Sequence, residues 1–359
     1  MRYLHENSKK FEMSGVKRWH EKGYTGKGIR IANLEGTDPL LPFFHGKVRD
    51  PFSNVTAVGR NYHGHQTMDV LHQVAPDADL YTLSSNGRYG HNIAEGPFIK
   101  QSIPFMEKEN IHLVNASLGG NTNPILKARI EKAKERGVTF VTSAGNAADS
   151  GVGGFARSGA WIAVGAVHLS AKGEITHASY SSLGQEVDFT QFSGIYVHDA
   201  RKRYEDRVFP VNGTSFSSPM LCGMLALVQH LFLERVGRTL YQDELYKFMQ
   251  DYSIDLWQPG KDIKSGYGLF LLPNNPHDIH VGKYILHKQE VNKELKTIKM
   301  DAPAEIKNGR FYVIGRPFVE ALGGKVVWDQ NEPQKGIFEL NGRRIILENG
   351  SDLMYIKKL

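Results

Sequence analysis

One serine of the chain lies in a context that can make it a nucleophile. Ser215 follows Gly213 and Thr214 and opens a long apolar stretch that is predicted to form a buried helix. The N–H groups in the first turn of a helix have no partner within the helix, and the helix dipole is positive there. A serine so placed can attack a carbonyl carbon while its own N–H stabilises the oxyanion. Taken alone, these three residues are also typical of an ordinary helix cap.

Other polar residues fit the same chemistry. Asn146 follows an apolar strand and can donate a second hydrogen bond to an oxyanion. Gly119 and Gly120 follow another strand, where the missing side chains let a peptide backbone approach closely. Glu35 ends the first strand, and His65 precedes a short helical segment. An acid, a histidine and a serine therefore occur in that order, each at a strand end or a helix start.

Short apolar or β-branched runs alternate with helical stretches over the first two hundred residues. The predicted strands are 29–34, 79–83, 111–116, 138–142 and 161–167, and the predicted helices are 98–109, 123–136, 215–236 and 241–251. This alternation predicts an α/β fold, in which a parallel sheet has helices on both faces. Catalytic and binding residues then belong at the carboxyl ends of the strands.

Several sequence blocks, in a fixed order, carry a family resemblance. They are Gly64–Met68 (GHQTM), Ser117–Gly120 (SLGG), Ser143–Asn146 (SAGN) and Gly213–Pro219 (GTSFSSP). On these blocks the chain resembles the subtilase family of serine peptidases, between about Tyr24 and Leu272. The resemblance implies a subtilisin-like parallel sheet flanked by helices, and hydrolysis of peptide bonds by acyl transfer.

The resemblance also implies a role for each residue. Ser215 is the nucleophile, His65 the base that takes its proton, and Glu35 the acid that orients the imidazole. Asn146 and the N–H of Ser215 hold the oxyanion. The residues expected to bind the protein or peptide substrate are Ser117, Leu118, Gly119, Gly120, Ala144 and Gly145.

The acid departs from the family pattern. The family almost always has aspartate at this position, and here Glu35 stands in its place. Ser-His-Glu triads exist in hydrolases of another fold, so the chemistry allows the longer side chain. Asp38 and Asp69 are the alternatives for this role.

The histidine block departs as well. The family usually has His-Gly-Thr, whereas this chain has two histidines, in His63-Gly64 and in His65-Gln66-Thr67. We choose His65 because Thr67 and Met68 follow it and a glycine precedes it. His63 is the alternative.

The two departures favour a second hypothesis, a catalytically impaired subtilase that acts as a binding or signalling protein. A third hypothesis is a structural or phage-associated adhesive protein whose important part is the C-terminal segment. The working peptidase is preferred, because an inactive relative would have little reason to keep Ser215, Asn146 and a histidine together.

Composition excludes other classes. The net charge of +6 is not gathered into one stripe, which argues against nucleic-acid binding. No apolar run reaches the roughly 18 residues of a membrane span. The first thirty residues hold no apolar segment of the secretory type, so we expect a cytoplasmic protein, with release to the cell surface or exterior as the alternative.

No cofactor is expected to be required. The single cysteine, Cys222, cannot form an intrachain disulfide, and no Cys/His spacing of a metal site occurs. Calcium commonly stabilises subtilases, but loop Asp, Asn and Glu residues are too frequent here to assign ligands.

The C-terminal segment carries a second resemblance. Residues 309–329 are similar to the small stalk-type domain named after the copper amine oxidases, here expected as an α+β domain that acts as a spacer or docks a partner. No histidine follows His287, so the usual copper ligands are missing. Four strands are predicted near 311–314, 325–328, 336–340 and 343–347, with one helix and a hairpin turn at Asn341-Gly342. The predicted domains are an N-terminal extension (1–23), a peptidase domain (24–273), a linker (274–300) and the small domain (301–359).

Overall fold

The computed structural model describes residues 3–52, 62–83, 98–120, 122–201 and 207–287, and the strands of segment 305–358. The chain divides into two compact units, Met1–Lys288 and Gln289–Leu359. Each unit is described by itself.

A mostly parallel sheet forms the centre of the first unit. Its strands are β1 (Arg30–Asn33), β2 (Val48–Arg49), β3 (Asp79–Thr82), β4 (Leu113–Ala116), β5 (Thr139–Ser143), β6 (Ile162–Leu169), β7 (Ile175–His177), β8 (Phe189–Phe192), β11 (Ser253–Ile254) and β12 (Leu269–Phe270), while β9 (Ile195–His198) and β10 (Val208–Val211) form a separate antiparallel pair. The order across the sheet is β11-β12-β8-β6-β5-β4-β1-β3-β2, and β7 pairs with β6. The five strands predicted from the sequence are confirmed, with ends that differ by at most two residues. Their interiors are almost entirely buried, as expected for a sheet covered on both faces.

Helices connect the strands. They are α1 (Ser8–Met13), α2 (Val16–Glu21), α3 (His63–Val74), α4 (Ile103–Lys108), α5 (Pro124–Glu135), α6 (Gly154–Arg157), α7 (Thr214–Val236) and α8 (Gln242–Asp251). The predicted helices near 123–136, 215–236 and 241–251 are confirmed. The helix predicted at 98–109 is a π-helical turn, Phe98–Ser102, that leads into α4.

Helix α7 is the central helix of the unit. Among the described residues it is the one helix long and apolar enough to cross a membrane, but 89% of its most apolar stretch is buried inside the domain. It packs closely on α3, because a Cβ at Gly223 would lie 2.7 Å from Cβ of Val74. The helix that carries both candidate histidines and the helix that carries the candidate nucleophile are thus in direct contact.

The first 23 residues pack into the same core instead of standing apart. Phe11, Val16 and Trp19 are fully buried. The Trp19 indole N–H donates to the Pro273 carbonyl at 2.8 Å, which joins α2 to the far end of the domain. The apolar spacing in α1 and α2 therefore belongs to the main core, and the predicted boundary at residue 23 does not separate two compact units.

The predicted linker also begins too early. Tyr284 is 1% exposed, and the Glu244 carboxylate accepts the N–H groups of Leu286 at 2.6 Å and His287 at 2.9 Å. Arg238 holds the same carboxylate with two hydrogen bonds of 2.7 Å. This buried ion pair takes up the chain end, so the first unit extends to Lys288 and not to residue 273.

Shortening the chain tests this boundary. A chain that ends at Lys288 is expected to unfold at the temperature of the first unit in the full chain. A chain that ends at Leu272 loses the buried Tyr284 ring and exposes Glu244, and its Tm should fall by roughly 5–10 °C. Thermal unfolding followed by circular dichroism measures both. Equal Tm values for the two shortened chains would contradict the assignment.

The second unit contains short antiparallel strands. They are β13 (Glu305–Lys307), β14 (Arg310–Tyr312), β15 (Lys325–Val327), β16 (Lys335–Leu340), β17 (Arg343–Glu348) and β18 (Met354–Lys358). β13 pairs with β14, and β15 to β18 form a sheet in chain order. Leu340 pairs with Arg343, which confirms the predicted hairpin between β16 and β17. The helix predicted for this segment lies outside the described residues.

Candidate active site

Glu35 lies two residues beyond β1, at the carboxyl end of the sheet, and is 1% exposed. Its position is fixed by Thr82 on the neighbouring strand β3. The Thr82 hydroxyl donates to the Glu35 carbonyl at 2.5 Å and accepts the N–H of Thr37 at 3.0 Å. The sequence-based placement of a buried acid at this strand end agrees with the structure.

The carboxylate of Glu35 contacts His63. Oε2 of Glu35 accepts a hydrogen bond from Nδ1 of His63 at 2.5 Å. His63 is the first residue of α3, and its ring lies 5.6 Å from the ring of Phe216, the residue after Ser215. Because a carboxylate is only an acceptor, Nδ1 carries a hydrogen, and Nε2 of a neutral His63 is an acceptor.

Gly64 explains why His63 is the histidine that contacts Glu35. A Cβ at Gly64 would lie 2.3 Å from the Gly36 carbonyl oxygen and 3.0 Å from Cβ of Glu35. Only glycine lets the start of α3 approach the end of β1 this closely. The residue just before that contact, His63, is therefore brought against Glu35.

His65 lies on another side of the same helix. Two residues along an α-helix turn the side chain by about 200°, away from the face of His63. His65 is 3% exposed, and its Nε2 accepts the N–H of Asp38 at 3.3 Å. The expected contact between Glu35 and His65 is thus corrected to one between Glu35 and His63.

The two alternative acids have other partners. Oδ1 of Asp38 accepts the N–H of Leu40 at 2.9 Å, within its own loop. Oδ2 of Asp69 accepts two hydrogen bonds from His198, from its N–H at 2.7 Å and from Nδ1 at 2.9 Å. Asp69 therefore ties α3 to β9.

The environment of His63 changes its basicity. Burial lowers the pKa of His63, but the charge of Glu35 and the hydrogen bond to it outweigh burial, and the pKa is raised above its ordinary value. The imidazolium form of His63 is stabilised by the adjacent carboxylate.

Thr67 contacts Glu35, and this contact was not predicted from the sequence. It lies four residues after His63, on the same face of α3. Its Oγ1 is 3.2 Å from Oε1 of Glu35 and accepts a hydrogen bond from Nδ2 of Asn33 at 3.0 Å. One face of α3 thus supplies a partner to each oxygen of the Glu35 carboxylate, His63 to Oε2 and Thr67 to Oε1.

Ser215 lies at the start of α7, as predicted. Gly213 precedes the helix with φ 133°, a conformation that side chains rarely allow. Ser215 is half-buried, and its hydroxyl donates to the Ser117 carbonyl at 3.4 Å. The serine therefore lies beside the end of β4, where the substrate was expected.

Two further residues hold the turn before the serine. The N–H of Gly213 donates to the Tyr180 hydroxyl at 3.1 Å and to the Ser193 hydroxyl at 3.0 Å. Tyr180 also donates to Ser193 at 2.8 Å. Tyr180 and Ser193 were not predicted as site residues.

Asn146 lies beside this turn, where its orientation is fixed by Thr214. Oδ1 of Asn146 accepts both the N–H and the hydroxyl of Thr214, each at 2.9 Å. With the oxygen turned to Thr214, the NH₂ group of Asn146 faces away from it. Asn146 is exposed, so this NH₂ group can reach a ligand in the cleft.

The predicted substrate-binding residues differ in the space around them and in the hydrogen bonds that they already make. A Cβ at Gly119 would meet only open space, whereas one at Gly120 would lie 2.4 Å from the Phe155 ring. The Ala144 and Gly145 carbonyls accept the N–H groups of Gly153 at 2.7 Å and Ser182 at 2.9 Å. The carbonyls of Ala144 and Gly145 are therefore already hydrogen-bonded within the protein. Ser117 and Leu118 are buried.

Comparison with known proteins agrees with this geometry. The model of the subtilase family matches residues 54–253, more than half of the chain. The chain belongs to the subtilase family. A second model, the copper amine oxidase N-terminal domain, matches residues 290–358 and confirms the resemblance of the C-terminal segment. Within the described residues, no group of three or more His, Cys, Asp or Glu side chains is arranged to hold a metal ion.

This subtilase has similarity to several proteases. It is 28% identical over 235 residues to the thermostable alkaline protease of Halalkalibacterium halodurans, over 62% of this chain and 63% of that protein. It is 31% identical over 161 residues to subtilisin DY of Bacillus licheniformis, over 43% of this chain and 55% of that protein. The chain thus spans less than two thirds of the length of these relatives.

A solved structure supports the fold. Fervidolysin from Fervidobacterium pennivorans, a keratinolytic enzyme related to subtilisin, superposes with a TM-score of 0.60 at 20% identity. The match covers 73% of this chain and 44% of that one. The predicted α/β fold with a parallel sheet flanked by helices is confirmed.

Proposed function

We propose that this subtilase is an active serine endopeptidase that uses Glu35, His63 and Ser215. The observation that carries the proposal is the 2.5 Å hydrogen bond from His63 Nδ1 to the buried Glu35 carboxylate. It leaves Nε2 of His63 as the proton acceptor, on a ring that lies near the start of α7. Acyl transfer requires a nucleophile, a base and an acid, and Ser215, His63 and Glu35 can supply them.

The reaction follows from these positions. Ser215 Oγ attacks the peptide carbonyl carbon, and Nε2 of His63 takes the hydroxyl proton. The oxyanion accepts hydrogen bonds from the Ser215 N–H and from the NH₂ group of Asn146. The leaving amine takes the proton from His63 as the C–N bond breaks. Water, deprotonated by His63, then releases the acid product and restores the serine.

Labelling with a fluorophosphonate tests the proposal. The reagent phosphonylates a serine only when a base has activated it, so Ser215 should be labelled in the native chain and not after unfolding. Casein digestion should accompany labelling. A folded chain that neither takes up the reagent nor cleaves casein would instead support the binding or signalling protein.

Glu35→Gln tests the acid. Glutamine keeps the length of the side chain but permits the tautomer that has no hydrogen on Nδ1, so kcat should fall by up to about 10⁴-fold. Glu35→Asp, one methylene shorter, should lose less because it keeps the charge. A kcat in Glu35→Gln equal to that of the parent would contradict the role of Glu35.

The same variant should move the pH profile. A neutral His63 is the active form, so kcat/KM should rise with pH through the raised pKa of His63, above the usual value of about 6.5. Glu35→Gln removes the charge that raises this pKa, so the acidic limb of its residual activity should move to lower pH. A limb that stays in place would contradict the pairing of Glu35 with His63.

A further inference from the structure

A line of buried side chains connects α7 to the Glu35 carboxylate. Oγ of Ser218 donates to Oδ1 of Asn115 at 2.7 Å, and Nδ2 of Asn115 donates to Oδ1 of Asn33 at 2.8 Å. Nδ2 of Asn33 donates to Oγ1 of Thr67 at 3.0 Å, and Oγ1 of Thr67 is 3.2 Å from Oε1 of Glu35. We call Ser218, Asn115, Asn33 and Thr67 the relay. All four are 0% exposed.

The hydrogen bonds of the relay point in one direction. A carboxylate can only accept, and the Thr67 hydroxyl already accepts from Asn33, so its one hydrogen is shared between Oε1 of Glu35 at 3.2 Å and the Gly64 carbonyl at 3.1 Å. Asn33 then presents its oxygen to Asn115, and Asn115 presents its oxygen to Ser218. A flipped Asn33 amide would place two NH₂ groups against each other. Donors aligned in this way polarise one another, and the chain of dipoles ends at a negative charge.

The relay links the elements that carry the three candidate catalytic residues. Asn33 and Asn115 are paired in register on the neighbouring strands β1 and β4. Thr67 is on α3, four residues after His63, and Ser218 is on α7, three residues after Ser215. A buried asparagine within a strand is unfavourable unless it is hydrogen-bonded, so two such residues facing each other indicate a specific requirement.

We propose that the relay is a positioning network that holds the Glu35 carboxylate oriented toward His63, and that Thr67 is the residue through which the relay contacts Glu35. The proposal rests on the proposed function of Glu35 and His63. Thr67 does not touch the reacting atoms and acts through Glu35. Oε1 of Glu35, the oxygen that does not contact His63, is held by the Thr67 hydroxyl. Thr67 and His63 lie on the same helix, α3.

The test is the titration of His63, followed by NMR in the full chain. Thr67→Val keeps the shape of the side chain but removes the hydroxyl. The Glu35 charge is then less compensated and should hold the imidazolium proton more strongly, so the pKa of His63 should rise by about half a unit or more. Thr67→Ser should restore the parental value. Ser218→Ala, at the far end, should shift the pKa in the same direction by less.

Thr142→Val is the matched control. Thr142 is also fully buried, and its hydroxyl donates to the Ala116 carbonyl at 2.8 Å, outside the relay. Both valine variants should lose stability, measured by urea unfolding, and Thr67→Val should lose more because it also removes the acceptor of Nδ2 of Asn33. Only Thr67→Val should move the titration of His63. An unchanged or lowered pKa of His63 in Thr67→Val and in Ser218→Ala would overturn the proposal.

Activity gives a second readout. Thr67→Val should lower kcat/KM at neutral pH by about 10-fold. The same change in a Glu35→Gln chain should have little further effect, because the carboxylate on which Thr67 acts is gone. Full additivity of the two changes would contradict the relay. The titration does not depend on turnover, so absence of labelling at Ser215 would reject the peptidase while the relay is still decided by NMR.

Discussion

Replacement of His63 by alanine is expected to abolish nearly all peptidase activity. The members of a catalytic triad act as a unit, so loss of the base should lower kcat by about 10⁶-fold, as much as loss of the nucleophile. His63 is partly exposed, with 23% of its side chain accessible, so the fold should be retained. Hydrolysis of a chromogenic peptide measures kcat, and thermal unfolding confirms the fold.

His65→Gln is the control for this experiment. Glutamine can keep an acceptor for the N–H of Asp38, the hydrogen bond that Nε2 of His65 makes at 3.3 Å. We expect activity within about 10-fold of the parent, because His65 holds the loop of Asp38. The hydrogen bond to Glu35 that orients the base is made by His63. A large loss in His65→Gln with normal activity in His63→Ala would restore the original choice of His65.

The sequence pattern and the structure favour different histidines as the base. In the sequence, Thr67 and Met68 follow His65 as they follow the family's histidine, and this pattern favours His65. The sequence did contain the better signal, the pair His63-Gly64, because the close contact with Gly36 requires a glycine directly after the histidine. Thr67 is explained by a different role, its hydrogen bond to the far oxygen of Glu35.

Glu35 itself could be predicted, and its surroundings could not. An acid at the end of an apolar strand has a position that follows from the parallel sheet. The pairing of Asn33 with Asn115 depends on the register of β1 and β4, which the sequence pattern does not specify. Tyr180 and Ser193 act on Gly213 from distant segments, so no local pattern could reveal them.

The boundaries of the domain show the same limit. The central strands were predicted well because their apolar runs are local signals. The packing of Trp19 against Pro273 joins residues at opposite ends of the domain. Only the tertiary structure shows that both ends belong to one core, and composition breaks near residue 273 suggested a boundary that is not there.

Replacement of Ser215 by alanine should have an equally large effect on catalysis. The hydroxyl is the atom that forms the acyl-enzyme, so kcat should fall by about 10⁶-fold and fluorophosphonate labelling should disappear. Alanine is a good helix former. Among the described residues the Ser215 hydroxyl makes one hydrogen bond, to the Ser117 carbonyl at 3.4 Å, so stability should change little. Substrate should still bind, because the substitution removes only the hydroxyl and leaves the glycines after β4 unchanged.

Ser217→Ala provides a matched control in the same turn of α7. The Ser217 hydroxyl is fully buried and has no hydrogen-bond partner among the described residues, so its removal should leave stability equal or slightly increased. Ser217→Ala should be labelled and should cleave the peptide at close to the parental rate. If Ser215→Ala retained activity while Ser217→Ala lost it, the nucleophile would be misassigned. Equal activity of both variants and the parent would mean that cleavage does not depend on this serine.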